Sequence, residues 1–228
     1  MLQKTILSSF LSFCLMAMTF SISHAQKFKN DYNKLNAYVI AGTTFPYTDV
    51  QASEIGYSIG LGIEYKPISF LSANVDVQYG LLQEGHVKTS PIEGAKYKNN
   101  FINSSILLNL YPLFLIPNQK AWANDYFNFS IGGGLGFIKN DVEAQDLPID
   151  DIGSVGNYNK TDLLFPVNFS YHFPIWKNNL KDQSISLGIN YRYFFSNSDY
   201  LDGYKPTLTA NEHNDVFAQL SLKVIYSF

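Results

Sequence analysis

Cysteine occurs once in the 228 residues, at Cys14, so no intramolecular disulfide can staple the fold and no thiolate metal cluster can form. Charged residues reach only 15%, against about 25% in ordinary globular domains. Their 16 Lys+Arg nearly balance 19 Asp+Glu. That balance lacks the basic excess by which a nucleic-acid-binding domain neutralises phosphate, so no nucleic-acid partner is expected. Past the N-terminus there is no run of about 20 apolar residues, which excludes a spanning helix. Aromatics, by contrast, are plentiful: 18 Phe and 16 Tyr beside only 2 Trp. A chain poor in charge, rich in aromatics and without an apolar helix must place its greasy surface in some other way.

Residues 1–25 read as a secretory signal. Lys4 supplies the charged start, Ile6 through Phe20 the apolar stretch, and Ser23-His24-Ala25 a small-x-small cleavage pattern before Gln26. The stretch is short for a membrane anchor, and the cleavage pattern follows at once. A lipoprotein signal through Cys14 fits poorly, because Phe13 precedes the cysteine and the apolar stretch runs on past it. Cleavage leaves one domain, residues 26–228, with 15 basic and 19 acidic residues and no cysteine. Such an exported chain has only backbone pairing and burial to stabilise it.

The rest of the chain alternates with period 2, which puts successive side chains on opposite faces of a strand. In the segment 71–81, Leu71, Ala73, Val75, Val77, Tyr79 and Leu81 share one face, and Ser72, Asn74, Asp76, Gln78 and Gly80 the other. Segments 57–65, 163–173, 185–193 and 216–228 repeat the pattern, and weaker versions cover 35–44, 102–111 and 126–138. Eight strands result, with no amphipathic helix of any length and no further strand visible between them.

A soluble sandwich also alternates, so other features must choose. The apolar faces are aromatic to their ends, while the opposite faces are Ser, Asn, Gln and Gly with few bulky residues. The strands run to about 9–11 residues, the length that crosses a bilayer at a tilt, rather than the 5–6 or so of globular proteins. Aromatics gather near the strand ends, at Tyr57, Tyr65, Tyr79, Phe127, Phe137, Tyr171, Phe173, Tyr191, Tyr193, Tyr226 and Phe228, as in the two girdles of a transmembrane barrel. Links after strands one, three, five and seven (45–56, 83–99, 139–162 and 196–214) are long; those after two and six (66–70 and 174–182) are shorter, and 112–125 is intermediate. These features predict an all-β, eight-stranded, antiparallel up-and-down transmembrane β-barrel, closed because hydrocarbon tolerates no free strand edge. Both termini then face the periplasm and the long loops the exterior.

The last strand ends on Val224-Ile225-Tyr226-Ser227-Phe228, and Val224, Tyr226 and Phe228 share one parity. A terminal Phe closing an alternating strand resembles the signal read by the outer-membrane barrel assembly machinery. The whole of residues 26–228 is similar in pattern to small outer-membrane barrels of the OmpA and OmpX type. Ser198-Asp199-Tyr200-Leu201-Asp202-Gly203-Tyr204, followed by Asn214-Asp215, looks like the last-loop signature of barrel domains in some OmpA-family proteins. No peptidoglycan-binding domain follows Phe228 in this sequence, so that function is not expected here.

Eight strands enclose an interior that side chains can fill, whereas open porins use about 16–18. The predicted inner face carries Glu64, Asp76, Arg192 and Lys223. Charges in a narrow lumen are costly unless paired, so two acids and two bases are expected to neutralise one another: Glu64 and Lys223 in the periplasmic half, Asp76 and Arg192 as candidates for a second pair. Hydration of each charge is the alternative, since spacing does not show pairing. The glycines at 132, 133, 134 and 136 lack the Lys-Ser/Thr and the helix of a phosphate loop, and read as close packing. His172 shares the inner face with Ser170, but no orienting acid is identifiable, and His86 and His213 sit in no motif. The acids Asp141, Glu143, Asp146, Asp150 and Asp151 lack the spacing and central Gly of a calcium loop. No metal, cofactor or catalytic residue is therefore expected.

These readings favour a non-enzymatic outer-membrane barrel of a Gram-negative bacterium, with a structural, envelope-integrity or adhesion role, outer-membrane lipids as its surroundings and a loop ligand not specified. The alternatives are a lipid-modifying hydrolase or acyltransferase, and an accessory subunit of a secretion or uptake complex.

Overall fold

The computed structural model describes residues 34–47, 53–84, 96–115, 128–145, 153–155, 158–178, 183–198, 201, 204–206 and 215–228. The signal segment, Phe127, His86, His213, Asp146, Asp150 and Asp151 lie outside them.

Eight long strands form the wall: β1 (Lys34–Tyr47), β2 (Ser53–Ile68), β3 (Leu71–Glu84), β4 (Lys96–Leu110), β5 (Asn128–Gln145), β7 (Tyr158–Asn178), β8 (Gln183–Ser196) and β10 (Val216–Ser227). Every segment predicted from alternation lies in or overlaps one of them. Each pairs antiparallel with its chain neighbour, and β1 pairs with β10 to close the barrel. Followed from Gly133 of β5 through Leu108, Ala73 and Tyr65, the pairing reaches Leu35; followed the other way through Val167, Tyr193 and Ala218, it reaches Phe45. The ten-residue offset between those two β1 positions is the stagger of the barrel. With strand spacing and rise at their usual values it tilts the strands by about 40° from the barrel axis.

Two short strands were not foreseen. β6 (Gly153–Val155) and β9 (Tyr204–Pro206) pair with each other and not with the wall, so the barrel stays eight-stranded. Link lengths also differ from expectation. The wall strands keep pairing beyond their apolar parts, Tyr47 with Val216 and Ser53 with Glu84, so the link between β1 and β2 shrinks to residues 48–52. The link between β4 and β5 spans 111–127 and includes a 3-10 turn at Pro112–Leu115. Asp141 and Glu143, expected in a loop, belong to β5 and face Asn100 and Lys98 across the ladder.

The alternation sorts by face as expected. Leu61, Ile106 and Leu222 are 65%, 60% and 59% exposed, while Ser72, Asn103 and Gln78 on the opposite parity are buried. The apolar outer surface is therefore a continuous band, as a barrel in hydrocarbon requires. Aromatics border it. Tyr57, Tyr79, Phe137, Phe165 and Phe195 stand toward the loop end, and Tyr65, Tyr171 and Phe228 toward the end that carries the termini. Tyr193–Phe195 and Tyr226–Phe228 pack edge-on at 5.0 and 4.9 Å. Tyr191 falls between the two borders rather than on one. Val224, Tyr226 and Phe228 all lie on the outer parity, and the Phe228 N–H donates to the Leu35 carbonyl at 3.0 Å, tying the last residue to the first wall strand.

Candidate functional site

The lumen is built in three storeys. Its middle is organised by Asp76 of β3 and Arg192 of β8. The guanidinium donates in a fork, Nη2 to Oδ2 at 2.9 Å and Nη1 to Oδ1 at 3.0 Å, and both side chains are buried. The same carboxylate accepts from Tyr38 Oη (3.0 Å), Ser105 Oγ (3.1 Å) and Gln78 Nε2 (3.2 Å). Such a fork with its remaining lone pairs occupied is what allows charges to stay in a narrow interior. Gln219 extends the network, donating to Ser58 Oγ at 2.6 Å and to Gln78 Oε1 at 2.7 Å.

Toward the terminal end, Glu64 accepts from Tyr111 Oη at 2.6 Å and from Asn36 Nδ2 at 3.2 Å. Lys223 shares this region and feels the Glu64 charge. Its near contact, though, is the Tyr38 ring, 3.6 Å below its Nζ. The two pairs expected from charge balance thus differ in form. Asp76 and Arg192 make a direct fork, whereas Glu64 accepts from the Tyr111 hydroxyl and Asn36 amide and Lys223 lies over the Tyr38 ring. Tyr111 also forms part of a floor. Lys66 Nζ lies 3.8 Å from its ring centroid and 4.5 Å from that of Phe114, and His172 meets it edge-on at 6.1 Å. The Tyr111 N–H donates to the Phe70 carbonyl at 2.8 Å, fixing this floor to the turn between β2 and β3.

The loop end is apolar, contrary to the expectation of an inner face with few bulky groups. Phe194 stacks on Phe217 at 4.4 Å, and Phe101 joins at 5.6 Å. Leu82, Ile138 and Leu164 pack with them, with none of their surface exposed. One residue comes from outside the wall: Leu201, in the link between β8 and β10, is fully buried in this cluster. The sequence carried a signal for it. Several of these inner residues stand beside an apolar neighbour that is more exposed (Phe137-Ile138, Leu163-Leu164, Tyr193-Phe194-Phe195), and adjacent apolar residues cannot all face one side of a strand.

The glycines of β5 prove positional. A methyl on Gly134 would run into the Ile106 carbonyl and the Leu107 backbone, and one on Gly132 into the Asn109 side chain; at Gly133 the nearest atom is the Pro166 carbonyl at 3.6 Å. Close packing accounts for the inner glycines alone. Ser170 and His172 share the lumen side as expected, and the ring neighbour of His172 is Tyr111. Among the described residues no three His, Cys, Asp or Glu side chains group closely enough to hold a metal ion.

No protein-family model matches the chain, and no curated protein matches it in sequence. Among solved structures, the chain is similar to the attachment invasion locus protein Ail of Yersinia pestis, at 10% identity and a TM-score of 0.46, over 86% of this chain and 99% of that one. It is similar to Neisserial surface protein A at 15% and 0.43, over 85% and 97%, and to the outer membrane enzyme PagL at 13% and 0.36, over 83% and 97%. At these identities and scores the likenesses assign neither a family nor an activity.

Proposed function

We propose that the chain is a non-enzymatic outer-membrane protein of a Gram-negative bacterium, which spans the bilayer and presents its loop-end links to the exterior for envelope integrity or surface interaction. The observation that carries this is the inversion of the barrel: a closed register with an apolar, aromatic-bordered exterior and a polar middle inside. In water that exterior would aggregate; in hydrocarbon it is satisfied. The non-enzymatic reading is supported by His172, which is turned into the lumen against Tyr111, away from the outer surface where a lipid ester would lie. On this reading the 48–52, 85–95, 146–157 and 197–215 links face outward, both chain ends face the periplasm, and Val224, Tyr226 and Phe228 present the assembly signal.

Fractionation combined with protease shaving of intact cells tests location and orientation together. The expected result is recovery in outer-membrane fragments with cuts confined to the outward links. Recovery in periplasmic extract, or cuts confined to residues 179–182, would overturn it. Exchanging His86, His172 and His213 one at a time leaves lipid A and phospholipid composition unchanged on this account; a change traceable to one of them would favour the lipid-modifying enzyme.

A further inference from the structure

Three polar groups on the inner face of β8 and β10 stand together with their donors unmet. Ser221 and Lys223 are two residues apart on β10 and so share that face, and Asn190 of β8 is the register partner of Ser221. Asn190, Ser221 and Lys223 are all buried. Asn190 Nδ2 and Ser221 Oγ have no hydrogen-bond partner. The Lys223 ammonium lies over the Tyr38 ring. Among the described residues it has no acceptor at hydrogen-bond distance and no carboxylate at ion-pair distance. The two luminal carboxylates are committed elsewhere, Asp76 to Arg192 and Glu64 to Tyr111 and Asn36. Two glycines flank the group. Gly188 is the register partner of Lys223, and Gly42 that of Ser221. A methyl on Gly42 would stand 2.7 Å from Ser221 Oγ, so the bare backbone there gives the hydroxyl its space.

Buried donors are rarely left unmet, and a buried ammonium without a counter-charge in contact is costlier still. Water would answer the hydroxyl and the amide but would leave the ammonium uncompensated. An acceptor that carries negative charge answers all three at once. We propose that this corner of the lumen binds one small monovalent anion of halide size, held by Lys223 Nζ, Ser221 Oγ and Asn190 Nδ2. Lys223 supplies the charge, and the other two supply neutral donors from adjacent strands. Bonds in which one partner is ionised are roughly twice as strong as neutral ones, so Lys223 dominates the affinity. The donors converge only when β8 and β10 are paired in this register. The anion therefore binds the folded barrel and not the unfolded chain, and it stabilises the fold by mass action. It acts on the last strand, the one whose pairing with β1 closes the wall.

The test uses the purified barrel with bromide as the probe. Crystals grown in sodium bromide are measured at the bromine absorption edge, and urea unfolding is followed as bromide replaces gluconate at constant ionic strength. The expected result is an anomalous peak in contact with Lys223 Nζ, Ser221 Oγ and Asn190 Nδ2, together with an unfolding midpoint that rises with bromide. Lys223→Met should abolish the peak and raise the bromide concentration for half the effect by at least about tenfold. Ser221→Ala, which keeps the charge, should raise it less. Density without anomalous signal would mean water alone and would overturn the proposal. A peak with a midpoint indifferent to bromide would mark an adventitious ion only, and would overturn it too. Should Lys223→Met fail to fold, Ser221→Ala decides: an unchanged peak and an unchanged bromide response would contradict the assignment. Both readouts are taken on isolated protein, so their failure is distinguishable from that of the shaving experiment, which concerns orientation.

Discussion

Replacing Asp76 with alanine removes the acceptor on which the middle of the lumen converges. Five donor atoms lose their partner at once: two guanidinium nitrogens of Arg192, Tyr38 Oη, Gln78 Nε2 and Ser105 Oγ. Arg192, 2% exposed, keeps only long contacts to Asn168 Oδ1 at 3.4 Å and Ser105 Oγ at 3.5 Å. An uncompensated buried charge costs about 3–5 kcal/mol, and that is the destabilisation expected. Arg192→Met alone strands the carboxylate and should cost a similar amount. The double variant Asp76→Ala/Arg192→Met removes both charges and leaves only neutral polar groups unpartnered, at about 1 kcal/mol or more each. It should therefore be less destabilised than the sum of the singles by at least about 2 kcal/mol, the size of coupling expected within one network. Urea unfolding from phosphatidylcholine vesicles, followed by tryptophan fluorescence, measures all three. A cost below about 1 kcal/mol for Asp76→Ala, or singles that simply add, would refute the view that this pair organises the lumen.

Other positions give independent checks. Val75→Arg, on the outer band, should cost about 2–4 kcal/mol in the same unfolding assay if it sits near mid-membrane; a negligible cost would mean the face is wrongly assigned. Gly134→Ala should destabilise strongly because its methyl meets backbone, whereas Gly133→Ala, whose methyl would make only an ordinary contact with the Pro166 carbonyl at 3.6 Å, should be tolerated; equal effects would remove the packing explanation. Tyr111→Phe deletes the 2.6 Å hydrogen bond to Glu64 and should cost about 1.5–3 kcal/mol, the range for bonds to charged groups, with no change expected if Glu64 is served by water instead.

The barrel was legible because its dominant pattern is local. Residues 71–81 fix their own faces by period 2, and eight such segments with apolar outer parities leave few architectures open. Asp76 and Arg192 could be named as candidates because both break an otherwise neutral inner parity. The choice between a direct fork and a tyrosine-held charge was not legible, since it depends on which side chains the stagger brings level across the lumen. Tyr111 lies 47 positions from Glu64 in the sequence, and only the closed register places them together. The apolar loop end was less legible because Phe194 lies just beyond the alternating segment 185–193, although the adjacent aromatics Tyr193, Phe194 and Phe195 cannot all face one side of a strand. Leu201 was visible only as part of a loop motif; nothing near it in sequence shows that Asn99, 102 positions away, holds it. β6 and β9, three residues each, are too short to carry a period.

The central claim, that the exposed band meets acyl chains while the other parity does not, is tested most directly by paramagnetic relaxation in lipid nanodiscs. A spin label is placed deep on the acyl chain and relaxation is read at assigned methyl groups. The account predicts strong broadening at Ile106, Val75 and Leu222 and little at the inward-facing Leu107, Ile40 and Ile225. Equal broadening of Ile106 and Leu107, or protection of Ile106, would contradict it.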